Sequence, residues 1–262
     1  MRRELLIIDA QNDFCEPSGA LYVQGAEEDC RRIARFVDRK GGELTGITIT
    51  LDSHHLYDIS HPLFWVDSSG NHPAPFTLIS QEEVEARRWK TSRSEEMEWG
   101  LNYVRTLKRK GKYTLCIWPP HCLIGSRGAL VQEELFRAIL EWEEKKLTSS
   151  SKIIKGDDYR TEHYGAFEAE VTSHREGTSQ WIDGMVEAMK KAEDIYIAGE
   201  ALDFCVANTV RQLADRLSPD QISKIVLLMD CCSSVNPESG MSRTFLDEMK
   251  KKGMRVALST EI

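Results

Sequence analysis

No apolar run in this 262-residue chain approaches the roughly twenty residues that span a bilayer, so no membrane-spanning helix is expected. The start, Met1-Arg2-Arg3-Glu4-Leu5, runs directly into a short apolar segment with no small-residue cleavage pattern, which argues against a signal peptide. None of the seven cysteines stands in a C-x-x-C pair. An odd, scattered set argues against a disulfide framework, so reduced thiols in a cytoplasmic setting are expected. Positive charge is in deficit: 34 Lys and Arg against 42 Asp and Glu leave a net charge of -8, which repels nucleic acid. The basic clusters Arg2-Arg3, Lys108-Arg109-Lys110 and Lys250-Lys251-Lys252 are short and read as solvated helix ends. Internal repeats and low-complexity tracts are also missing.

What is present is ordinary for a soluble globular protein, with 41% hydrophobic and 29% charged residues. Short apolar runs alternate with helix-length amphipathic segments. Leu5 to Ile8, Leu44 to Leu51, Tyr113 to Trp118, Ile153-Ile154, Ile195 to Ala198 and Ile225 to Met229 read as buried strands, with Val256 to Leu258 as a further one. Helices are expected at about 26–40, 95–110, 128–146, 184–193, 204–217 and 240–252. This alternation implies an α/β fold whose mostly parallel sheet is covered on both faces. The stretch at about 62–112 breaks the rhythm with Pro62, Pro73, Pro75 and the turn cluster Ser68-Ser69-Gly70-Asn71. It reads as an insertion in a single domain spanning 1–262, with too few apolar residues for a core of its own. Its tryptophans, taken as exposed, suggest a homo-oligomer.

Ligand sites in such sheets gather at the carboxyl ends of the strands, and four polar clusters fall there. Asp9 follows the first strand, in Asp9-Ala10-Gln11-Asn12-Asp13-Phe14. Asp52-Ser53-His54 ends the second, with His61 further on; a carboxylate and an imidazole two residues apart share one side of an extended chain and suit zinc, iron or manganese. Trp118-Pro119-Pro120-His121-Cys122 offers a further imidazole and a flat aromatic wall. Lys155 closes the strand Ile153-Ile154, and Cys205 lies at a strand-to-helix turn, where free N–H groups favour a thiolate and an oxyanion. Taken singly, each has a plainer reading: a turn-capping Asp, a core Trp, a turn His, a packed Cys.

Together and in this order, the four motifs, the last being Gly199-Glu200-Ala201-Leu202-Asp203-Phe204-Cys205, resemble the nicotinamidase branch of the isochorismatase-like hydrolases. The resemblance covers most of the chain outside about 62–112. It implies a three-layer α/β/α fold with a six-stranded sheet. It further implies Cys205 as nucleophile, Asp9 as acid/base carboxylate and Lys155 as catalytic lysine. Asp52, His54 and His121 match the family's metal ligands, and His61 a histidine ligand of some members, with zinc the first expectation. Phe14 and Trp118 match aromatics that sandwich a pyridine ring. A cis peptide before Ala201 is implied, turning the Ala201 and Cys205 N–H groups toward an oxyanion. The expected reaction is hydrolysis of a small amide, first of all nicotinamide to nicotinate and ammonia, with the metal on the ring nitrogen. Phe204 stands where some relatives carry a polar residue, so another aryl amide or a carbamoyl or ureido compound is the alternative substrate, and a silent binding protein the alternative from another class.

Overall fold

Six short strands form one all-parallel sheet in the computed structural model, which describes residues 2–173 and 179–262. They are β1 (Arg3–Ile8), β2 (Gly46–Asp52), β3 (Ser151–Lys155), β4 (Asp194–Gly199), β5 (Ile225–Leu228) and β6 (Arg255–Ala257). Their spatial order is β3-β2-β1-β4-β5-β6. Leu5 of β1 pairs with Ile47 on one side and with Tyr196 on the other. Leu5 to Ile8 are fully buried, as a central strand covered on both faces requires.

Among the described residues, the helices of eight or more residues are α1 (Ala26–Lys40), α2 (Met97–Arg109), α3 (Glu133–Lys146), α4 (Ser179–Lys190), α5 (Ala207–Ala214) and α6 (Met241–Lys251). In α1, Cys30, Ile33, Ala34 and Val37 recur at helical spacing and are buried. Glu27, Glu28 and Asp29 in its first turn and Arg39 and Lys40 in its last complement the helix dipole. The chain winds outward from β1 in one direction and from β4 in the other. Right-handed crossovers therefore send α1 and α3, which pack together, to one face, and α5 and α6 to the opposite face.

The reversal of winding puts a crevice at the carboxyl ends of β1 and β4. The two strand ends nearly touch there: a Cβ on Gly199 would lie 2.0 Å from the Ile8 carbonyl oxygen, and Gly199 has φ +115°. Only glycine fits that position. Asp9, the next residue after β1, is itself left-handed, at φ +44°.

Three expectations need correction. Tyr113 to Trp118 does not enter the main sheet. Only Leu115–Cys116 is extended, pairing antiparallel with Leu78–Ile79, and the edge place goes to β6. The reason is packing, because Leu115 and Ile117 face a second apolar cluster. That cluster is the second correction. Phe64, Trp65, Ile79, Val84, Tyr103, Val104 and Leu107 build a core for the 62–112 stretch, joined by Ile59, Leu115, Ile117 and Val171 from outside it. Its apolar residues are dispersed over short elements, which is why no run announced them. Third, Trp65 is 0% exposed, and Trp89 and Trp99 are half-buried against the same cluster, so these rings lend no support to a homo-oligomer.

Trp65 also donates its indole N–H to the Ile59 carbonyl, 2.8 Å away. Trp65→Ala should therefore cost about 3–5 kcal/mol of stability in urea denaturation, and a loss below about 1 kcal/mol would show that this second core is loosely packed.

Candidate active site

Three neighbouring strands each deliver one polar side chain to the same point. Asp9 follows β1, Asp52 ends β2 and Lys155 ends β3, and all three are buried. The Lys155 ammonium lies 2.8 Å from Asp9 Oδ2 and 3.0 Å from Asp52 Oδ1, and donates to the His163 carbonyl at 2.9 Å. Cys205 arrives from β4: its Sγ is 3.6 Å from Lys155 Nζ. Of the sulfur, the carboxylate and the ammonium, only the cysteine retains noticeable exposure, 7%.

Local chemistry fixes each of these groups. The Asp9 N–H donates to Thr50 Oγ1 at 3.0 Å, and the Thr50 hydroxyl donates back to Asp9 Oδ1. Asp9 Oδ2 has the ion pair with Lys155 but no well-aligned hydrogen-bond donor. It is the oxygen free to accept a proton. Gln11 clamps the end of β2, donating to the Asp52 carbonyl and accepting from the Asp52 N–H, both at 2.7 Å. Asp13 accepts from the Cys122 N–H at 2.6 Å and so fixes the loop carrying His121. The 9–14 motif is thus a scaffold for the other motifs as well as the source of one carboxylate.

Cys205 sits inside a widened π-helical turn, Leu202–Val206, in which the Val206 N–H donates to the Ala201 carbonyl at 3.1 Å, directly before α5. The Glu200–Ala201 peptide is cis. Both Asp203 carboxylate oxygens accept backbone N–H groups, from Val235 and Asn236, which anchors the turn.

Electrostatics run partly against the sequence-based expectation. Burial pushes the Cys205 thiol well above its ordinary value, and Lys155 counters this only in part, so the resting sulfur carries its proton despite the helix that follows. Burial also raises the Asp9 carboxyl, again opposed by Lys155. Burial opposes the charge on Asp52, yet His54, Lys155 and His121 hold its carboxyl well below the usual range. Burial opposes the Lys155 charge too, but Asp52 and Asp9 hold the ammonium well above the usual lysine value.

Asp52 Oδ2 turns the other way, to His54 Nε2 at 3.1 Å and His121 Nε2 at 3.4 Å. His54 Nδ1 is 3.1 Å from Asp58 Oδ2 and His121 Nδ1 is 2.9 Å from the Pro119 carbonyl. Against burial, Asp52 and Asp58 hold the His54 imidazole well above its ordinary value, so the metal-free ring keeps a proton facing Asp52. With the Nδ1 protons donated to Asp58 and the Pro119 carbonyl and a metal in place of that proton, both Nε2 lone pairs would converge beside the carboxylate oxygen. That juxtaposition is repulsive unless a proton or a cation lies between, and an O/N/N donor set with carboxylate-oriented imidazole suits a divalent metal. His61 stands beside this trio and not in it: its Nδ1 faces the His55 carbonyl at 2.9 Å, and its Nε2 faces His121 Nδ1 at 3.4 Å. Burial and the neighbouring imidazoles push His61 down to about 4, so it is neutral.

The aromatic residues are split between two contacts. Phe14 lies edge-on to His121, with ring centroids 5.3 Å apart. Trp118 packs edge-on against Phe204 at 5.2 Å and donates its indole N–H to the Tyr164 hydroxyl at 3.1 Å. Sequence reasoning missed several neighbours. Thr50 precedes Asp52 by two on β2 and shares its face, and Asp58 follows His54 by four; both were within reach of a spacing argument. Glu162, His163 and Tyr164 come from an irregular loop with no periodic signal. Glu162 Oε2 and His163 Nε2 are buried with no hydrogen-bond partner among the described residues, and burial pushes His163 down to about 3.

Residues 152–261 match the isochorismatase domain family. Over 255 residues the chain is 21% identical to the nicotinamidase of Saccharomyces cerevisiae, covering 97% of this chain and 98% of that protein. Over 261 residues it is 26% identical to the nicotinamidase of Acinetobacter baylyi, covering 98% and 93%. A solved nicotinamidase and pyrazinamidase of Acinetobacter baumanii has TM-score 0.65 at 20% identity, covering 99% and 97%. The Pyrococcus horikoshii pyrazinamidase in complex with zinc has TM-score 0.56 at 18% identity, covering 98% of each chain. The fold described above is theirs.

Because Asp58 contacts the His54 ring, any divalent cation taken up by the Asp52–His54–His121 set should bind about 10- to 100-fold more weakly in Asp58→Asn, measured by chelator competition titration. An unchanged affinity would mean that His54 is oriented by other contacts.

Proposed function

We propose that this chain, a nicotinamidase-like hydrolase of the isochorismatase-like superfamily, cleaves a small aromatic amide, nicotinamide in the first instance, to the carboxylate and ammonia. The observation that carries this reading is the meeting of the Cys205 sulfur and the Asp9 carboxylate at the Lys155 ammonium, beside an Asp–His–His set.

Chemically, the resting thiol is a poor nucleophile and needs a base at hand. Asp9 Oδ2 takes the thiol proton while Lys155 balances the new negative charge on sulfur. The thiolate adds to the amide carbon, and the oxyanion is held by the Ala201 and Cys205 N–H groups. Collapse breaks the C–N bond, Asp9 hands its proton to nitrogen, and ammonia leaves a thioester on Cys205. Water then adds to the thioester, giving one proton to Asp9. The carboxylic acid departs, and Asp9 returns the proton to sulfur. Burial raises the Asp9 carboxyl, which makes it a better proton acceptor than a free aspartate, but burial raises the Cys205 thiol as well, so the transfer depends on Lys155 to hold the thiolate.

Asp52, His54 and His121 are the residues to hold a divalent metal, zinc before iron or manganese, and such a cation would orient and polarise a ring nitrogen of the substrate. The zinc complex of the Pyrococcus horikoshii relative supports this choice. Phe14 and Trp118 would flank the ring, and Tyr164 keeps the Trp118 indole in place.

Zinc-loaded protein should release ammonia from nicotinamide, and Cys205→Ala should lower the rate about a thousandfold or more. Equal rates would remove Cys205 from the reaction. The base must be ionised and its carboxyl is raised, so kcat/KM should fall as pH drops through a midpoint above about 4. An acid limb at or below the free aspartate value would contradict Asp9 as the base.

A further inference from the structure

An exposed aromatic side chain in a strained backbone position needs an explanation, and Phe76 is both. It lies within the 62–112 stretch at φ +69°, in the left-handed region that bulky side chains avoid, and its ring is 58% exposed. Neither feature favours folding. Glycine would relieve the backbone, and a polar residue would suit the solvent. The position is nonetheless tightly specified. The Phe76 N–H donates to the Ile117 carbonyl, and the Ile117 N–H donates back to the Thr77 carbonyl at 2.8 Å. The turn is thereby clipped to the residue directly before Trp118. It presents the Phe76 ring edge-on to the Trp118 indole, with centroids 6.0 Å apart and planes at 87°. Trp118 in turn meets Phe204, the neighbour of Cys205. A line of aromatic rings thus leads from solvent to the residue beside the thiol, and its outermost member belongs to the insertion.

Resting on the reading that Trp118 walls the amide pocket, we propose that Phe76 is a specificity-determining residue. It forms the outer aromatic wall that holds Trp118 in place and limits the width of the entrance to Cys205. Flat, unsubstituted aromatic amides pass and gain an aromatic edge, whereas bulky ring substituents are turned away. Strained, solvent-exposed aromatic placement is then the cost of selectivity, of the kind that functional positions carry.

Phe76→Gly separates this role from a structural one, because glycine adopts φ +69° freely. The melting temperature of the variant should be unchanged or higher, while KM for nicotinamide rises about fivefold, the equivalent of one aromatic pair. Its kcat should stay within about twofold, since binding and not chemistry is altered. Phe76→Tyr should restore KM. Alkylation of Cys205 gives a readout independent of substrate: the rate with a bulky N-aryl maleimide relative to iodoacetamide should rise in Phe76→Gly. An unchanged KM together with an unchanged alkylation ratio in the folded variant would overturn the proposal. If the unaltered chain does not hydrolyse nicotinamide, the amide reading fails on its own, and the alkylation ratio alone decides whether Phe76 narrows the entrance.

Discussion

A fully buried ammonium group holds this site together. Removing a lysine from water costs several kcal/mol, and only close anions offset it. Lys155 finds two, Asp9 and Asp52, with the His163 carbonyl as a third acceptor. Because β3, β2 and β1 are adjacent in the sheet and parallel, their carboxyl ends stand side by side, and three consecutive strand ends supply the cation and both anions. Losing Lys155 would leave two buried carboxylates without their shared cation, at roughly 3–5 kcal/mol. The constraint that assembles the chemistry is therefore also one that keeps the strand ends in register.

Asp52 makes the site double-sided. One oxygen pairs with Lys155 and the other faces His54 and His121. Asp52 thus answers to Lys155 on one side and to the imidazoles on the other, and a divalent cation on the imidazole side would take the place of the His54 proton without displacing the lysine. The two halves of the proposed reaction, a thiol activated beside Asp9 and a substrate ring oriented by metal, then share a single carboxylate. Asp58 and the Pro119 carbonyl on one side and Thr50 on the other orient the groups to which the proposed reaction assigns the chemistry.

Much of this was legible before any coordinates. Apolar runs of strand length alternating with amphipathic helices mark a parallel sheet, and β1, β4 and α1 lie close to where their periodicity puts them. Asp9, Asp52, Lys155 and Cys205 are conspicuous in the sequence because they stand at strand ends, where ligand sites of such sheets gather. Other features left weaker traces. Tyr113 to Trp118 is apolar because it faces the insertion's core, and periodicity cannot say which core a strand serves. The direction of the Cys205 shift depends on how deeply the turn is buried, which a helix-terminus argument does not contain. Glu162, His163 and Tyr164 reach the site from a loop, where the chain path is set by tertiary contacts and carries no repeat. Phe76 is invisible in the sequence because nothing there reveals its backbone angle.

The account stands or falls on where the Lys155 side chain lies when the site is loaded. A high-resolution crystal structure of the zinc-loaded protein tests this most directly. Lys155 should remain in contact with the Asp9 and Asp52 carboxylates and the Cys205 sulfur, with density for the cation among Asp52, His54 and His121. A lysine turned away from the sulfur, or a cation bound elsewhere, would contradict the shared-carboxylate account of this site.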